Sequence, residues 1–253
     1  MSNPTERFSN RVENYVKYRP GYPAEIIAYL AAQAALTPSA VVADIGSGTG
    51  ILSELFLQNG NQVYGVEPNP EMRAAAEKFL GGYAKFHSIA APAEATTLPD
   101  DSIDLIIVGQ AFHWFDQKTA KVEFQRILKT IGVVVLVWNS RVKSGTAFME
   151  AYEDLLQQYA LGYKDVVETN IADTDIMDFF HPNTYTSVGF DNAQDFDFEG
   201  LRGRALSSSY APLEGHPNYE PFTEGLQKTF EQHQIDGTVR FAYKTRLYWG
   251  RLK

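Results

Sequence analysis

The chain alternates short apolar runs with stretches whose apolar residues recur at helical spacing. The runs at 41–45, 62–66, 85–89, 103–109 and 133–138 have the length of buried strands. Between them, 51–59 and 71–80 carry a helical period and stop at Gly60 and Gly81. Residues 118–131 place Ala120, Phe124, Ile127, Leu128 and Ile131 on one stripe, with Gly132 read as the stop. Pro23 opens an earlier helix over 23–35, with Ile26, Ile27, Leu30 and Ala34 on one face and Pro38 beyond its end. Strands separated by helices predict an α/β fold on a parallel sheet, because each crossover helix returns the chain to start the next strand in the same direction.

The pattern changes after residue 138. Residues 139–185 hold Phe148, Tyr152, Leu155, Leu156 and Tyr159 at helical spacing and a shorter helix near 175–180, which predicts an inserted helical cap. Near the C-terminus Val239, Phe241, Tyr243, Thr245, Leu247 and Trp249 alternate with Arg240, Lys244, Arg246 and Tyr248, the period of a strand, and we expect this strand to join the sheet antiparallel. No repeat or linker divides the chain. The expectation is one domain over 1–253, with a helical lid at 1–22, a cofactor-binding core at 23–138, the cap at 139–185 and the C-terminal part of the sheet at 186–253.

Composition narrows the function classes. The chain is 44% hydrophobic and 21% charged, as globular proteins are. Its 22 Lys and Arg against 31 Asp and Glu give a net charge of -9, which repels a phosphate backbone, so no nucleic-acid partner is expected. The lack of Cys rules out disulfides, thiolate metal sites and a Cys nucleophile, and suits a reducing compartment. No run approaches the roughly 18 apolar residues of a membrane span, and no metal site is indicated. A cytoplasmic protein is expected.

The candidate chemistry begins at VADIGSGTG (42–50), where a buried strand ends in an acid and Gly46, Gly48 and Gly50 lead into a helix. A turn without side chains lets backbone approach a ligand, and the helix start offers free N–H groups, although tight turns also use glycine. Glu67, at the end of the second strand, can accept hydrogen bonds from both hydroxyls of a ribose. The glycines recur every second residue after Asp44. The dinucleotide fingerprint G-x-G-x-x-G has a wider last gap, around a pyrophosphate.

With FSNRVENYVKYRPGYP (8–23), VYGVEPNPEM (63–72), AEATTLPDDSIDLIIVGQAFHWFD (93–116), VLVWNSR and the terminal YKTRLYWGRL, these motifs resemble class I S-adenosylmethionine-dependent methyltransferases of type 11, in the trans-aconitate methyltransferase-like branch. The resemblance runs nearly the full length. It implies a Rossmann-like, doubly wound, mostly parallel seven-stranded sheet with an antiparallel C-terminal strand, and S-adenosyl-L-methionine as cofactor. It further implies that Asp44 and Gly46, Ser47, Gly48, Thr49 and Gly50 line the methionine part. Glu67 and Pro68 would meet the ribose, Asn69 and Met72 the adenine edge, Ala93 and Glu94 the adenine ring, and Gln110 the sulfonium. Tyr15 and Arg19 belong to the lid, Arg19 toward the cofactor carboxylate and an aromatic ring toward the sulfonium. The family often has a polar side chain before the Ala, where this chain has Pro92, which leaves a carbonyl or Glu94 to read the adenine amino group.

A small-molecule acceptor is expected, through a carboxylate or hydroxyl oxygen. The stretch Gly109-Gln110-Ala111-Phe112-His113-Trp114 lacks the Asn-Pro-Pro-Tyr type of sequence used on nucleobase amines. His113 stands as a general base or as a residue that shapes the pocket with Trp114. Asn139, Arg141 and Tyr210 are further acceptor-pocket candidates; Arg141 could meet a carboxylate-bearing substrate, but a solvated surface residue is the preferred reading for it. Two other readings share this constellation: a non-catalytic cofactor-binding regulator and a nicotinamide-dependent oxidoreductase.

Overall fold

The computed structural model describes residues 18–163 and 173–253. Seven strands form one sheet in the order β3-β2-β1-β4-β5-β7-β6: β1 Val41–Ile45, β2 Gln62–Val66, β3 Phe86–Ile89, β4 Ile103–Gly109, β5 Leu128–Arg141, β6 Tyr185–Phe196 and β7 Val239–Gly250. Strands β1 to β5 pair in parallel, and β7 runs antiparallel between β5 and β6. This is the expected Rossmann-like sheet. Alternate residues of β5 face opposite cores, Val133, Val135 and Val137 to one and Val134 and Leu136 to the other.

On the first face lie helices α1 (Glu25–Gln33) and α2 (Ile51–Gln58), through Ile26, Leu30, Leu52 and Phe56. Helix α3 (Pro70–Phe79) follows β2, with Asn69 as its cap. On the opposite face lie α4 (Gln117–Ile127) and α6 (Asp173–Phe180), through Phe124, Ile127, Ile176 and Phe179. Asp116 caps α4 by accepting from the N–H groups of Lys118 and Thr119.

Three expectations change. The third crossover helix ends at Ile127, four residues short of Ile131, and β5 begins at once. Gly132 is therefore a strand residue. It sits where Ile103 pairs with Leu128 but Leu105 pairs with Val133, an irregularity that takes up extra β5 residues and leaves Ile131 73% exposed. Second, residues 139–141 belong to β5 and Tyr185 opens β6, while α6 packs on the sheet face, its Phe179 ring 4.7 Å from that of Phe112. Third, the helices gathered beyond the strand ends are α5 (Ala147–Tyr159), α7 (Phe198–Leu206) and α8 (Tyr219–His233), two of them from between β6 and β7. Strands β6 and β7 pair on to Phe196 and Val239, past the end of β5, and carry Phe241 and Tyr243 into a third core with Tyr152, Leu156, Leu201 and Phe222. Long strands thus support the cap.

No described helix is long and apolar enough to cross a membrane.

Candidate functional site

The ends of β1 and β2 meet at the glycine turn. The N–H groups of Gly46 and Ser47 donate to the Val66 carbonyl at 2.8 and 3.1 Å, fastening the turn to β2. All three glycines have positive φ, but for different reasons. A Cβ on Gly46 would lie 2.5 Å from the Ala111 Cβ, and one on Gly50 2.6 Å from the Leu80 Cδ1, so packing excludes side chains there. At Gly48 no atom of a described residue, its chain neighbours apart, lies within 4 Å of that position. The middle glycine opens onto space that a ligand can approach.

Two carboxylates flank this opening. Asp44 is 1% exposed; its Oδ2 accepts from the Ser53 hydroxyl at 2.6 Å, while Oδ1 has no partner among the described residues. Burial pushes its pKa up to about 7 against the Ser53 hydrogen bond, and the nearby Glu67 adds repulsion. The buried Thr49 hydroxyl also lacks a described partner. Buried polar atoms are normally paired, so these two mark a place for a polar ligand. Glu67 Oε2 accepts from the Gly48 N–H at 3.0 Å and Oε1 from the Asn69 N–H at 2.9 Å. Burial raises its pKa, against these two bonds and the Arg73 guanidinium. Each oxygen keeps a lone pair for a hydroxyl donor.

Around the adenine edge that the resemblance implies, the expected residues are mostly engaged. The Asn69 side chain accepts from the Met72 N–H at 3.0 Å and so caps α3, on which Met72 is buried. Pro68 is exposed beside them. Ala93 is buried in the same core as Val66 and Ala111. Both substitutes for the missing polar side chain have other partners: the Pro92 carbonyl accepts from Ala95, and Glu94 accepts from the Asp116 N–H at 2.8 Å.

Gln110, at the end of β4, has φ +57, a conformation rare for a residue with a side chain. Its N–H donates to Val137 and its side-chain amide to the Asn139 carbonyl at 2.9 Å. Asn139 in turn donates to the Gly21 carbonyl at 3.1 Å and accepts from the Thr245 hydroxyl. With Asn192 also donating to Gly21 at 2.9 Å, the segment 18–22 is held as a strap across the strand ends. Arg19 extends this strap to the cap by donating to the Ser207 carbonyl at 3.2 Å. Beneath it is a cavity of about 70 Å³ whose lining includes Asp44, Gly46 to Thr49, Arg19, Gln110, Asn139, Arg204 and Tyr243. Tyr15 and the first 17 residues of the expected lid lie outside the described residues.

The structure does not bring His113 and Trp114 to this cavity. They sit on the 3-10 turn Phe112–Trp114, both exposed, with ring centroids 4.7 Å apart, while Phe112 turns inward. Partial desolvation of the ring lowers the His113 pKa.

Two buried arginines lie at the end of β5 and in the cap, Arg141 among the expected residues and Arg204 not. Arg141 is not a solvated surface residue. Its side chain is 9% exposed, paired through one terminal nitrogen with Glu153 and the Tyr163 hydroxyl and set 5.3 Å over the Tyr152 ring. Its other terminal nitrogen and the Tyr152 hydroxyl are buried without described partners. Tyr210 is half-buried, its ring 5.1 Å from that of Tyr163. Arg204, on α7, is 5% exposed. It donates to the Tyr243 hydroxyl at 2.8 Å and to Ser208 at 3.0 Å, and no carboxylate among the described residues pairs with it. One signal could have singled it out: Leu201, Arg204 and Ala205 fall on one helix face, so a charge lies in an apolar stripe.

Comparison with known proteins agrees with this geometry. Residues 43–136, from β1 into β5, match the methyltransferase domain family. An uncharacterized methyltransferase of Mycobacterium bovis is 37% identical over 138 residues, 53% of this chain and 52% of that protein. One from Schizosaccharomyces pombe is 29% identical over 155 residues, 60% and 59% of the two chains. The chain spans about half the length of the curated relatives it matches. Among solved structures, a type II methyltransferase candidate from Anaeromyxobacter dehalogenans superposes with a TM-score of 0.68 at 18% identity, covering 93% of this chain and 98% of that one. A SAM-dependent methyltransferase from Aquifex aeolicus gives 0.52 at 13% identity, covering 74% and 91%. The fold is the methyltransferase fold.

Proposed function

We propose that this protein transfers a methyl group from S-adenosylmethionine to a small molecule. The observation that carries this reading is the joining of an open glycine, Gly48, to a carboxylate, Glu67, by a 3.0 Å hydrogen bond at the ends of two adjacent parallel strands. That arrangement suits a ribose on Glu67 and an unphosphorylated chain lying along the turn, where Asp44 Oδ1 and Thr49 Oγ1 offer hydrogen bonds to an amino acid. When bound, the cofactor supplies a methyl group on a sulfonium, already a good leaving group.

The chain's own part is positioning. Glu67 would hold the ribose, Asp44 would receive the ammonium and Arg19 would face the carboxylate, as the resemblance implies. Gln110 and Asn139 form a hydrogen-bonded floor at the ends of β4 and β5 that would help align the reacting groups, with Tyr22 against Gly109, where a Cβ would come 2.7 Å from the Tyr22 hydroxyl. Alignment of this kind is worth roughly 7 to 11 kcal/mol in a displacement. The strap and cap leave a small cavity there, which supports a small acceptor, and the charge of -9 argues against nucleic acid. Our reading extends to an oxygen acceptor, the trans-aconitate methyltransferase-like branch, a single domain and a place in the cytoplasm. Titration calorimetry with S-adenosylhomocysteine and with NADH tests it, with labelled S-adenosylmethionine and metabolite extract as the activity arm. Binding of NADH alone would favour an oxidoreductase, and cofactor binding with no methylated product a regulator.

A further inference from the structure

The resemblance sets Ala93 and Glu94 against the adenine ring, on the loop between β3 and β4, and this loop belongs to no strand. It is fastened to α4 instead, along the length of that helix. At the start of α4 the Asp116 N–H donates to Glu94 Oε1 at 2.8 Å. At its end the carbonyls of Arg126 and Ile127 accept from the N–H groups of Asp101 and Ser102 at 3.0 and 2.9 Å. Between these ends lies Glu123. The loop also holds Thr97 and Asp101 at φ +64 and +47, conformations that residues with side chains keep only where the surroundings enforce them.

Glu123 is a carboxylate on the buried face of α4, beside Ala120, Phe124 and Ile127, and is 8% exposed. Its Oε1 accepts from the main-chain N–H of Thr96 at 2.8 Å and from the Thr96 hydroxyl at 2.6 Å. Arg126 donates to both carboxylate oxygens at 2.7 Å, and Thr96 is fully buried. Thr96 directly follows the turn Pro92–Ala95, which the Ala95 N–H closes on the Pro92 carbonyl at 3.3 Å, so fixing Thr96 fixes the end of that turn. Within the turn, the Ala93 N–H donates to no described residue. Pro92 offers no polar side chain and Glu94 is bonded to α4, so the position of the turn's main chain decides how adenine is met.

We propose that Glu123 is a positioning residue for the cofactor: from the buried face of α4 it sets, through Thr96, where the Ala93 N–H meets the adenine ring. This rests on the methyltransferase reading and deepens it. A carboxylate bonded at once to a main-chain N–H, a buried hydroxyl and a guanidinium admits one loop position, since a shift of the loop would leave buried donors unpaired. A residue that served stability alone would weaken the binding of every cofactor analogue alike.

The test is calorimetry on the full chain with S-adenosylhomocysteine and with its 1-deaza and 7-deaza analogues, in which C–H replaces one or the other ring acceptor flanking the amino group. The unsubstituted protein should bind one of the analogues at least about fivefold more weakly, from the loss of one hydrogen bond. In Glu123→Ala this ratio should fall to within about twofold, because S-adenosylhomocysteine weakens while the analogue keeps its affinity. Glu123→Gln still accepts from Thr96 and should keep most of the ratio. The proposal is overturned if the unsubstituted protein does not discriminate, or if Glu123→Ala keeps the full ratio, including the case in which all affinities fall together. It is also overturned if Glu123→Gln loses the ratio as fully as Glu123→Ala, since acceptance from Thr96 would then not be the cause. Should Glu123→Ala fail to fold, Thr96→Val decides: it removes the 2.6 Å hydroxyl bond, leaves α4 intact and should lower the ratio at least about twofold, and an unchanged ratio overturns the proposal. Failure of S-adenosylhomocysteine itself to bind removes the methyltransferase reading and this one with it; its binding without discrimination removes this one alone.

Discussion

The main-chain N–H of Gly48 donates to Glu67 Oε2 at 3.0 Å, so the turn after β1 and the acid after β2 form one unit. Glu67 therefore has two functions: it holds the turn, and it presents its free lone pairs outward. Glu67→Ala should weaken S-adenosylhomocysteine binding by at least about tenfold, from the loss of charge-assisted bonds worth roughly 1.5 to 3 kcal/mol each. Calorimetry reads this directly, and an unchanged affinity would remove the ribose assignment.

The glycines of the turn should separate in their effects. Gly48→Val has room among the described residues but must hold φ +55 and fills the approach to the ligand. We expect lost cofactor binding with a near-native circular dichroism spectrum. Gly46→Val places its Cβ 2.5 Å from that of Ala111 and should destabilise the fold by about 1–3 kcal/mol or more, seen in urea denaturation. Equal stability of the two variants contradicts this division.

The core of the fold was legible because its signals are local. β1, β2 and β4 stand where short apolar runs placed them, since strands covered on both faces need no polar alternation. Gly132 misled because a glycine after an apolar stripe resembles a helix stop, whereas here it serves a strand irregularity. β6 is a partly exposed edge strand with polar residues such as Asp191, Asn192 and Gln194, so no apolar run announced it. In the site, Asp44, the glycines and Glu67 lie on two adjacent turns and could be read together. Arg204 depends on Tyr243, 39 residues away across the cap, and nothing local predicts that pairing.

Asp44 should make stability depend on pH in an unusual direction. Its folded pKa is raised from 3.8 to about 7, so between these values the folded protein holds a proton that the unfolded chain has released. Stability from this group is thus full below about pH 4 and falls as pH rises toward 7, by roughly 4 kcal/mol at most. Carboxylates lowered by partners, such as Glu123 at about 2 beside Arg126 and Thr96, act in the opposite sense, so the readout is a difference. Urea denaturation of wild type minus Asp44→Asn should show the falling slope across pH 4 to 7. A bound ammonium favours the ionised form, so cofactor affinity should rise with pH around 7. A difference curve that is flat in pH contradicts the buried, protonated state.

The strap offers the sharpest mechanical test, at Gly203. A Cβ on this residue of α7 would lie 2.0 Å from the Tyr18 ring, so the helix carries glycine where the strap crosses it. Two effects oppose each other in Gly203→Ala. Alanine favours a helix interior by about 0.8 to 1.0 kcal/mol, whereas overpacking costs typically 1–3 kcal/mol. The overlap is with the Tyr18 side chain and not with backbone, so the balance should be settled by displacing the strap rather than by unfolding α7. Displacement would also strain the bonds of Arg19 to Ser207 and of Gly21 to Asn139 and Asn192. We therefore expect Gly203→Ala to unfold in urea within about 1 kcal/mol of wild type, yet to release S-adenosylhomocysteine several-fold faster in stopped flow. Adding Tyr18→Ala removes the overlap and should raise stability above that of Tyr18→Ala alone by the helix-propensity gain, while release stays fast. If Gly203→Ala releases the ligand at the wild-type rate, the strap does not hold the cavity closed.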